Sequence, residues 1–279
     1  MRRALPPLLL ALVACSAGGV ADTATTGPPS TTARTSTTTA ALDRLPSPTC
    51  DEGTRPFVAG GNAGTVTRTQ SDARRLDAVR WATDDGCTKI EIAFSTREGA
   101  PAVDPPGLAA AFLRDVGVLR VTLGDEIDSS AVAEQAVDGL ADRVFVVSGL
   151  DGATFVDIHL AAPAFARVDA ITAPGRVVVE LRAGGPGYGS TPMTEDGLVI
   201  VDRPLGPTAY PFSVSGYVRR GEGTVGATLE VGEETERLET PHGSTESTWG
   251  SFVLLIPDGP AGEAVLTIDG QATIEFVTG

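Results

Sequence analysis

Short runs in which apolar and polar residues alternate recur along most of this chain, and they constrain its fold more than any other feature. Ile90, Ile92 and Phe94 alternate with polar or small residues, and the same period of two recurs at 119–123 and 177–181. A period of two is typical of strands that bury one face. We therefore predict a mainly β protein whose strands are largely antiparallel.

The strand patterns fall into two groups. We predict a β domain over residues 50–184, a Gly/Pro linker over 185–207 and a second, smaller β-sandwich over 208–279. The glycine run that opens the linker has neither the Lys-Ser/Thr pair nor the helix that a phosphate-binding loop needs, so a linker is the favoured interpretation. Helical signals are few, and they predict short helices at 106–115 and 129–140.

The N-terminal residues 1–14 have the features of a secretory signal peptide. Two arginines precede an apolar run that is too short to span a bilayer, and the small residue Ala14 is followed by Cys15. The sequence Leu-Val-Ala-Cys at 12–15 resembles a lipobox, which implies cleavage before Cys15 and a diacylglyceryl group on its sulfur. An ordinary signal peptide with a chance cysteine is the alternative. Because the chain has only three cysteines, lipidation is favoured.

Residues 15–49 form a segment rich in Thr, Ser and Pro, and the first aromatic residue of the chain is Phe57. Such a composition cannot bury enough apolar surface to offset its conformational entropy, so a disordered stalk is predicted. Two acyl chains on Cys15 would hold the protein stably on a membrane. The resulting prediction is a lipid-anchored protein on the extracytoplasmic face of the plasma membrane.

Cys50 and Cys87 remain once Cys15 is assigned to a lipid. An exported chain enters a compartment that permits disulfides, and an even pair favours one bridge. Two buried free thiols or half of a metal site are the alternatives. The sequence has no CxxC motif or Cys/His cluster, which argues against zinc.

The charge balance excludes several classes of partner. Lys and Arg number 21 against 36 Asp and Glu, a formal net charge of −15. There is no surplus of cations to displace counterions from nucleic-acid phosphates, so no nucleic-acid partner is predicted. The same balance argues against a polybasic membrane patch.

Few residues offer catalytic chemistry. Asp157 and His159 share one face of a predicted strand and could begin a metal or acid–base site, but a solvated polar face is the favoured interpretation. No Gly-x-Ser-x-Gly elbow occurs, and we predict no catalytic residue, cofactor or metal. Trp81 is expected in the core. Trp249 follows a polar loop, and an exposed role in stacking on sugars is considered for it.

Residues 74–182 resemble the AMIN-like domain of bacterial lipoproteins. The similarity lies in the segment Arg-Arg-Leu-Asp-Ala-Val-Arg at 74–80, the acidic turn and strand at 84–94, and the strands at 155–160 and 177–181. The resemblance implies a β-sandwich that localises envelope proteins, often by contacting peptidoglycan. The cysteine pair departs from that pattern.

Residues 208–279 are similar to the Gmad2 module, an Ig-like domain of spore-germination and other envelope proteins. Pro-Phe-Ser-Val-Ser-Gly-Tyr-Val at 211–218 resembles its opening strand, and the segments at 250–253 and 262–266 resemble its closing strands. The two resemblances together imply a non-catalytic envelope lipoprotein that binds peptidoglycan or another wall glycan. A scaffold that docks envelope proteins is the alternative, and a hydrolase is the least favoured hypothesis.

Overall fold

The computed structural model describes residues 45–279 except for positions 69, 125, 130 and 131. Within this part of the chain the regular structure is almost entirely β, and the one helical element is a 3-10 turn at Arg114–Val116. The predicted mainly β fold is confirmed. Numbered along the chain, the strands are β1 (Gly61–Val66), β2 (Arg75–Asp84), β3 (Cys87–Ser95), β4 (Leu108–Leu113), β5 (Val118–Leu123), β6 (Glu134–Ala136), β7 (Ala141–Ser148), β8 (Thr154–Leu160), β9 (Ala164–Ile171), β10 (Arg176–Ala183), β11 (Met193–Glu195), β12 (Leu198–Asp202), β13 (Phe212–Val218), β14 (Thr224–Val231), β15 (Glu234–Pro241), β16 (Trp249–Ile256), β17 (Gly262–Ile268) and β18 (Ala272–Thr278).

The first sandwich packs a four-stranded sheet, in the order β2-β3-β10-β9, against one half of a ten-stranded sheet. That half runs β1-β4-β5-β8-β7, with β6 paired to the far side of β7. Ile90, Ile92 and Phe94, whose alternation predicted a strand, point into the core between the two sheets. Val177, Val179 and the other inward residues of β10 do the same, because successive side chains of a strand alternate between its faces.

The second sandwich packs the other half of the ten-stranded sheet, β16-β13-β12-β11, against a sheet ordered β15-β14-β17-β18. Phe252, Leu254 and Leu266 lie in its core. The two sandwiches are joined within the shared sheet, where Trp249 and Gly250 of β16 pair in parallel with β7. The predicted fold of two β-sandwiches is therefore observed, and the two share one continuous sheet.

Neither predicted helix is present among the described residues. Within 106–115, buried Leu108, Ala110 and Phe112 alternate with exposed alanines, and this segment is the strand β4 followed by the 3-10 turn. Alanine favours helices in isolation, but packing of alternate side chains against the first core overrides that preference. The described part of 129–140 contains the short strand β6, which pairs with β7.

The prediction of a linker over 185–207 is wrong in its second half. This stretch contains β11 and β12, and β12 lies inside the second sandwich as the neighbour of β13. Leu198 and Ile200 face the second core, whereas Val199 and Val201 face the first sandwich. A strand that is buried on both faces has no polar alternation, which is why the period of two did not mark it.

The chain meets the first sandwich earlier than its predicted boundary at residue 50. The backbone N–H of Leu45 donates a hydrogen bond of 3.1 Å to the carbonyl oxygen of Trp81, and Pro48 is buried. The predicted signal peptide, the lipidation site Cys15 and the rest of the stalk up to residue 44 lie outside the described residues.

Candidate functional site

A third apolar cluster lies between the two sandwiches. It joins the outer face of β5, β7 and β8 to side chains of β12, β13 and β16. Phe145 is its centre, with ring centroids 4.8 Å from His159, 5.2 Å from Tyr217 and 5.1 Å from Trp249. We call this cluster the interface core, and its buried members are Val118, Phe145, Val147, Phe155, Val199, Val201, Tyr217 and Trp249.

The interface core covers a charged pair. Asp157 is completely buried, and its two carboxylate oxygens accept hydrogen bonds of 2.8 and 2.7 Å from Nε and Nη2 of Arg120. The guanidinium of Arg120 also lies 4.3 Å from the ring centroid of Phe155. Burial raises the pKa of Asp157 above its ordinary value against the opposing effect of Arg120, and for Arg120 the lowering effect of burial is outweighed by Asp157, which raises its pKa. The bidentate geometry holds both groups in their charged forms.

The predicted solvated face of Asp157 and His159 is therefore wrong. Both residues share one face, as predicted, but the second sandwich covers that face, and His159 is 6% exposed. The hydroxyl of Tyr217 lies 2.6 Å from Nε2 of His159 and donates to it when the neutral imidazole carries its proton on Nδ1. Burial, together with Arg143 and Arg120, lowers the pKa of His159 to about 4.

This pKa predicts how stability depends on pH. The pKa of His159 is about 4 in the folded protein, whereas its ordinary value is 6.5. Between pH 4 and pH 6.5 the unfolded chain therefore binds a proton at this residue that the folded chain does not bind. Stability from this residue is complete above pH 6.5 and falls as the pH drops towards 4, by up to about 3 kcal/mol. Urea unfolding at a series of pH values measures this loss.

A His159→Gln variant is the control, because its amide oxygen accepts from Tyr217 but does not titrate. The carboxylates of the protein contribute the same acid destabilisation to both proteins. We therefore expect the free energy of unfolding to fall less steeply below pH 6.5 in the variant. Equal slopes in the two proteins would contradict the assignment.

Trp249 does not have the exposed position that was considered for it. It is 2% exposed and packs in the interface core, with the guanidinium of Arg219 5.1 Å from its ring centroid. Glu134 lies 3.1 Å from Arg143 and 3.4 Å from Arg219, and so links the first sandwich to the second at the surface. Trp81, expected in the core, is half-buried against it and donates its indole N–H to Asp138 at 2.7 Å.

A groove of about 840 Å³ opens beside the interface core, between the first sandwich and strands β12 and β13. Arg120 lines it, and because Nε and Nη2 bind Asp157, Nη1 is left with no hydrogen bond among the described residues. The lining is mixed in character. Its apolar residues are Phe112, Leu113, Val116 and Val201, and its polar ones include Arg114, Asp115, Asp202 and Ser215.

A second cavity, of about 650 Å³, lies at one end of the first sandwich. The start of β2, the loop after β3, the segment after β5 and the β7–β8 turn meet there. We call it the arginine cavity, and its charged lining residues are Arg74, Arg75, Arg97, Glu126 and Asp128.

Cys50 and Cys87 form a disulfide with a Cα–Cα distance of 5.9 Å, which confirms the predicted bridge. The bridge attaches residues 50–58, which we call the strap, to the first residue of β3. At the other end of the strap, Val58 exchanges backbone hydrogen bonds with Ala166 of β9. The strap therefore crosses the outer face of the four-stranded sheet.

The strap closes over a buried ion pair that the sequence did not reveal. Arg167 and Glu180 form this pair on β9 and β10. The N–H groups of Glu52 and Gly53 donate to the Glu180 carboxylate at 3.0 and 3.1 Å, and Arg167 donates to the carbonyl oxygen of Cys50 at 2.9 Å. A Cβ at Gly53 would lie 2.5 Å from Oδ2 of Asp169 and 2.7 Å from Nε of Arg167, so a larger residue there would have to displace the ends of these side chains.

The other side chains that could take part in catalysis or bind a metal have surroundings typical of a structural role. Nδ1 of His242 lies 2.8 Å from the hydroxyl of Ser244, but Ser244 is 4% exposed and its hydroxyl also donates to the carbonyl oxygen of Arg220. Among the described residues, no three His, Cys, Asp or Glu side chains gather as a metal site would require. That part of the chain also has no helix with the length and apolarity needed to cross a membrane.

Comparison with known proteins does not assign a family to this chain. No protein-family model matches the chain. No curated protein matches it at a significant level.

Proposed function

We propose that this protein is a non-catalytic, lipid-anchored protein of the cell envelope that binds peptidoglycan or another wall glycan. The groove beside the interface core is the proposed binding site, and half of its lining comes from the part of the chain that resembles an AMIN-like domain. The lipid on Cys15 and the membrane location are part of the same proposal. They are supported by the signal-peptide features and by the lipobox resemblance.

The observation that carries the proposal is the mixed lining of the groove. Sugars present apolar C–H faces together with hydroxyl, carbonyl and N-acetyl groups. Leu113, Val116 and Val201 offer apolar contact, Nη1 of Arg120 offers a donor to a carbonyl oxygen, and Asp202 offers acceptors to hydroxyls. A volume of about 840 Å³ is in the range of small-ligand sites and holds one or two sugar residues.

The shared sheet and the interface core support the groove as a preformed site. Both walls belong to elements that are joined by backbone pairing and by a buried aromatic cluster. A preformed site loses little conformational entropy when a ligand binds. A membrane tether raises the local concentration near the wall, so a weak affinity suffices.

The test is co-sedimentation of the full chain with purified sacculi. A Cys15→Ser chain is used so that sedimentation reports wall binding, and it is expected to leave the membrane fraction of cells. Ser215 lines the groove, and Ser215→Phe is expected to fill it and to weaken binding by at least about tenfold.

Ser213→Phe is the matched control. Ser213 lies two residues away on the same face of β13, is also half-buried and does not line the groove. Phenylalanine is well tolerated in strands, so both variants are expected to fold. Sedimentation of the unaltered chain no greater than that of an unrelated acidic β-sandwich would overturn the proposal, and equal losses in the two variants would remove the groove from it.

Docking of an envelope protein is the second candidate function. Val253 and Leu255 are 52% and 60% exposed on the outer face of β16, opposite Ser215 and Ser213 of β13. Exposed apolar neighbours of this kind are typical of protein contact surfaces. Crosslinking in intact cells from position 255 that recovers protein, together with failure of sacculi to retain the chain, would favour this alternative.

A further inference from the structure

The arginine cavity contains arginines that lack a carboxylate partner, although this chain is acidic. Acidic residues outnumber basic ones, 36 to 21, and most described arginines lie within 4.0 Å of a carboxylate oxygen. Arg74 and Arg97 have no such partner among the described residues. Both line the arginine cavity, and a third arginine, Arg75, lines it with them.

Arg75 is only partly satisfied in this position. Its Nη2 lies 2.9 Å from Oδ1 of Asp77, but its Nε is buried and has no hydrogen-bond partner among the described residues. Arg74 uses Nη1 to donate to the backbone carbonyl of Ser71 at 3.1 Å. A guanidinium can donate two hydrogen bonds to one carboxylate, so a carboxylate is a ligand that the N–H donors of these side chains favour.

The cavity also contains negative charge. Glu126 and Asp128 are exposed and line it together with the arginines. Three guanidinium groups and two carboxylates leave the lining close to neutral. A simple anion would be attracted by the arginines and repelled by the carboxylates. A ligand that carries both a carboxylate and an ammonium group satisfies both sets of charges.

We propose that the arginine cavity binds short peptides or amino acids in their zwitterionic form. The carboxylate lies against Arg74, Arg75 and Arg97, and the ammonium group lies against Glu126 and Asp128. A volume of about 650 Å³ accommodates a di- or tripeptide. This site is separate from the groove, so it does not depend on the proposed glycan binding.

The test uses the dipeptide alanyl-alanine as the probe and the full chain as Cys15→Ser, with binding followed by NMR titration. We expect saturable binding with a Kd of about 1 mM or tighter. Amidation of the dipeptide carboxylate is expected to weaken binding by at least about tenfold, since the charge-assisted hydrogen bonds are lost. Inorganic phosphate is expected to bind at least about tenfold more weakly than the dipeptide.

Two variants locate the binding. Arg97→Ala removes an exposed guanidinium that has no described carboxylate partner, and it is expected to weaken dipeptide binding by about tenfold without changing stability. Arg237→Ala is the matched control, because Arg237 is an exposed arginine of β15, on the second sandwich, and it also has no described carboxylate partner. We expect Arg237→Ala to bind as the parent chain does.

Several outcomes would overturn the proposal. They are the absence of saturable binding, equal binding of the dipeptide and its amide, phosphate binding as tight as that of the dipeptide, and equal affinities of the two arginine variants. Glu126→Gln provides an independent readout, because it should weaken the dipeptide and strengthen phosphate. A loss of sacculus binding alone leaves these titrations unchanged, so failure of the two proposals can be told apart.

Discussion

Arg120→Ala is expected to destabilise the protein by about 3–5 kcal/mol, the largest effect of any substitution considered. The variant leaves the carboxylate of Asp157 completely buried without the two hydrogen bonds it receives from the guanidinium. It also removes the cation that lies over the ring of Phe155. Urea unfolding at neutral pH measures the loss.

The double variant Arg120→Met/Asp157→Leu is the control for this result. It removes both charges and keeps side chains of similar size, and replacement of a whole buried pair by apolar residues often has little effect. We expect the double variant to be at least about 2 kcal/mol more stable than Arg120→Ala. A double variant as unstable as Arg120→Ala would mean that the cost lies in packing, and that the buried carboxylate is not its cause.

Removal of the strap disulfide by the variant Cys50→Ala/Cys87→Ala is expected to lower the stability of the first sandwich by up to about 4 kcal/mol. The bridge spans a sequence separation of 37 residues, and its loss lets the strap leave the sheet, which exposes the Arg167–Glu180 pair to water. Unfolding with and without a reductant measures the effect. The reductant should lower the stability of the natural chain and leave the variant unchanged.

Hydrogen exchange identifies where that loss acts. The N–H groups of Glu52 and Gly53, which donate to Glu180, are expected to lose protection in the variant before the core of the second sandwich does. Protection at these two amides that survives loss of the disulfide would contradict a strap held by the bridge. In that case the ion pair itself would be sufficient to retain it.

Many strands of this protein could be predicted where an apolar face alternates with a polar one. Alternation at Ile90, Ile92 and Phe94 placed β3 correctly, and the cysteine pair was found by counting. Alternation indicates that the two faces of a strand differ in polarity, but it does not indicate whether solvent or another part of the protein covers the polar face. That is why Asp157 and His159 were expected in solvent, although the second sandwich covers them.

A signal for the interface was nevertheless present in the sequence. Residues 144–147 and 198–201 are both uninterrupted apolar runs of four. In each run, alternate residues face the core of their own sandwich while the other two face the interface core. A strand buried on both faces reads as a continuous apolar run, so these two segments could have identified the contact between the sandwiches.

The strap also determines where mechanical load enters the molecule. In the proposed lipid-anchored arrangement, tension between the membrane and the wall travels along the chain from Cys15 and first meets a covalent cross-link at Cys50. The bond to Cys87 passes that load directly to β3, an inner strand of its sheet. The strap and the buried ion pair beneath it are then spared the stretching force, which passes through β3 and the body of the first sandwich to the groove where the wall is proposed to bind.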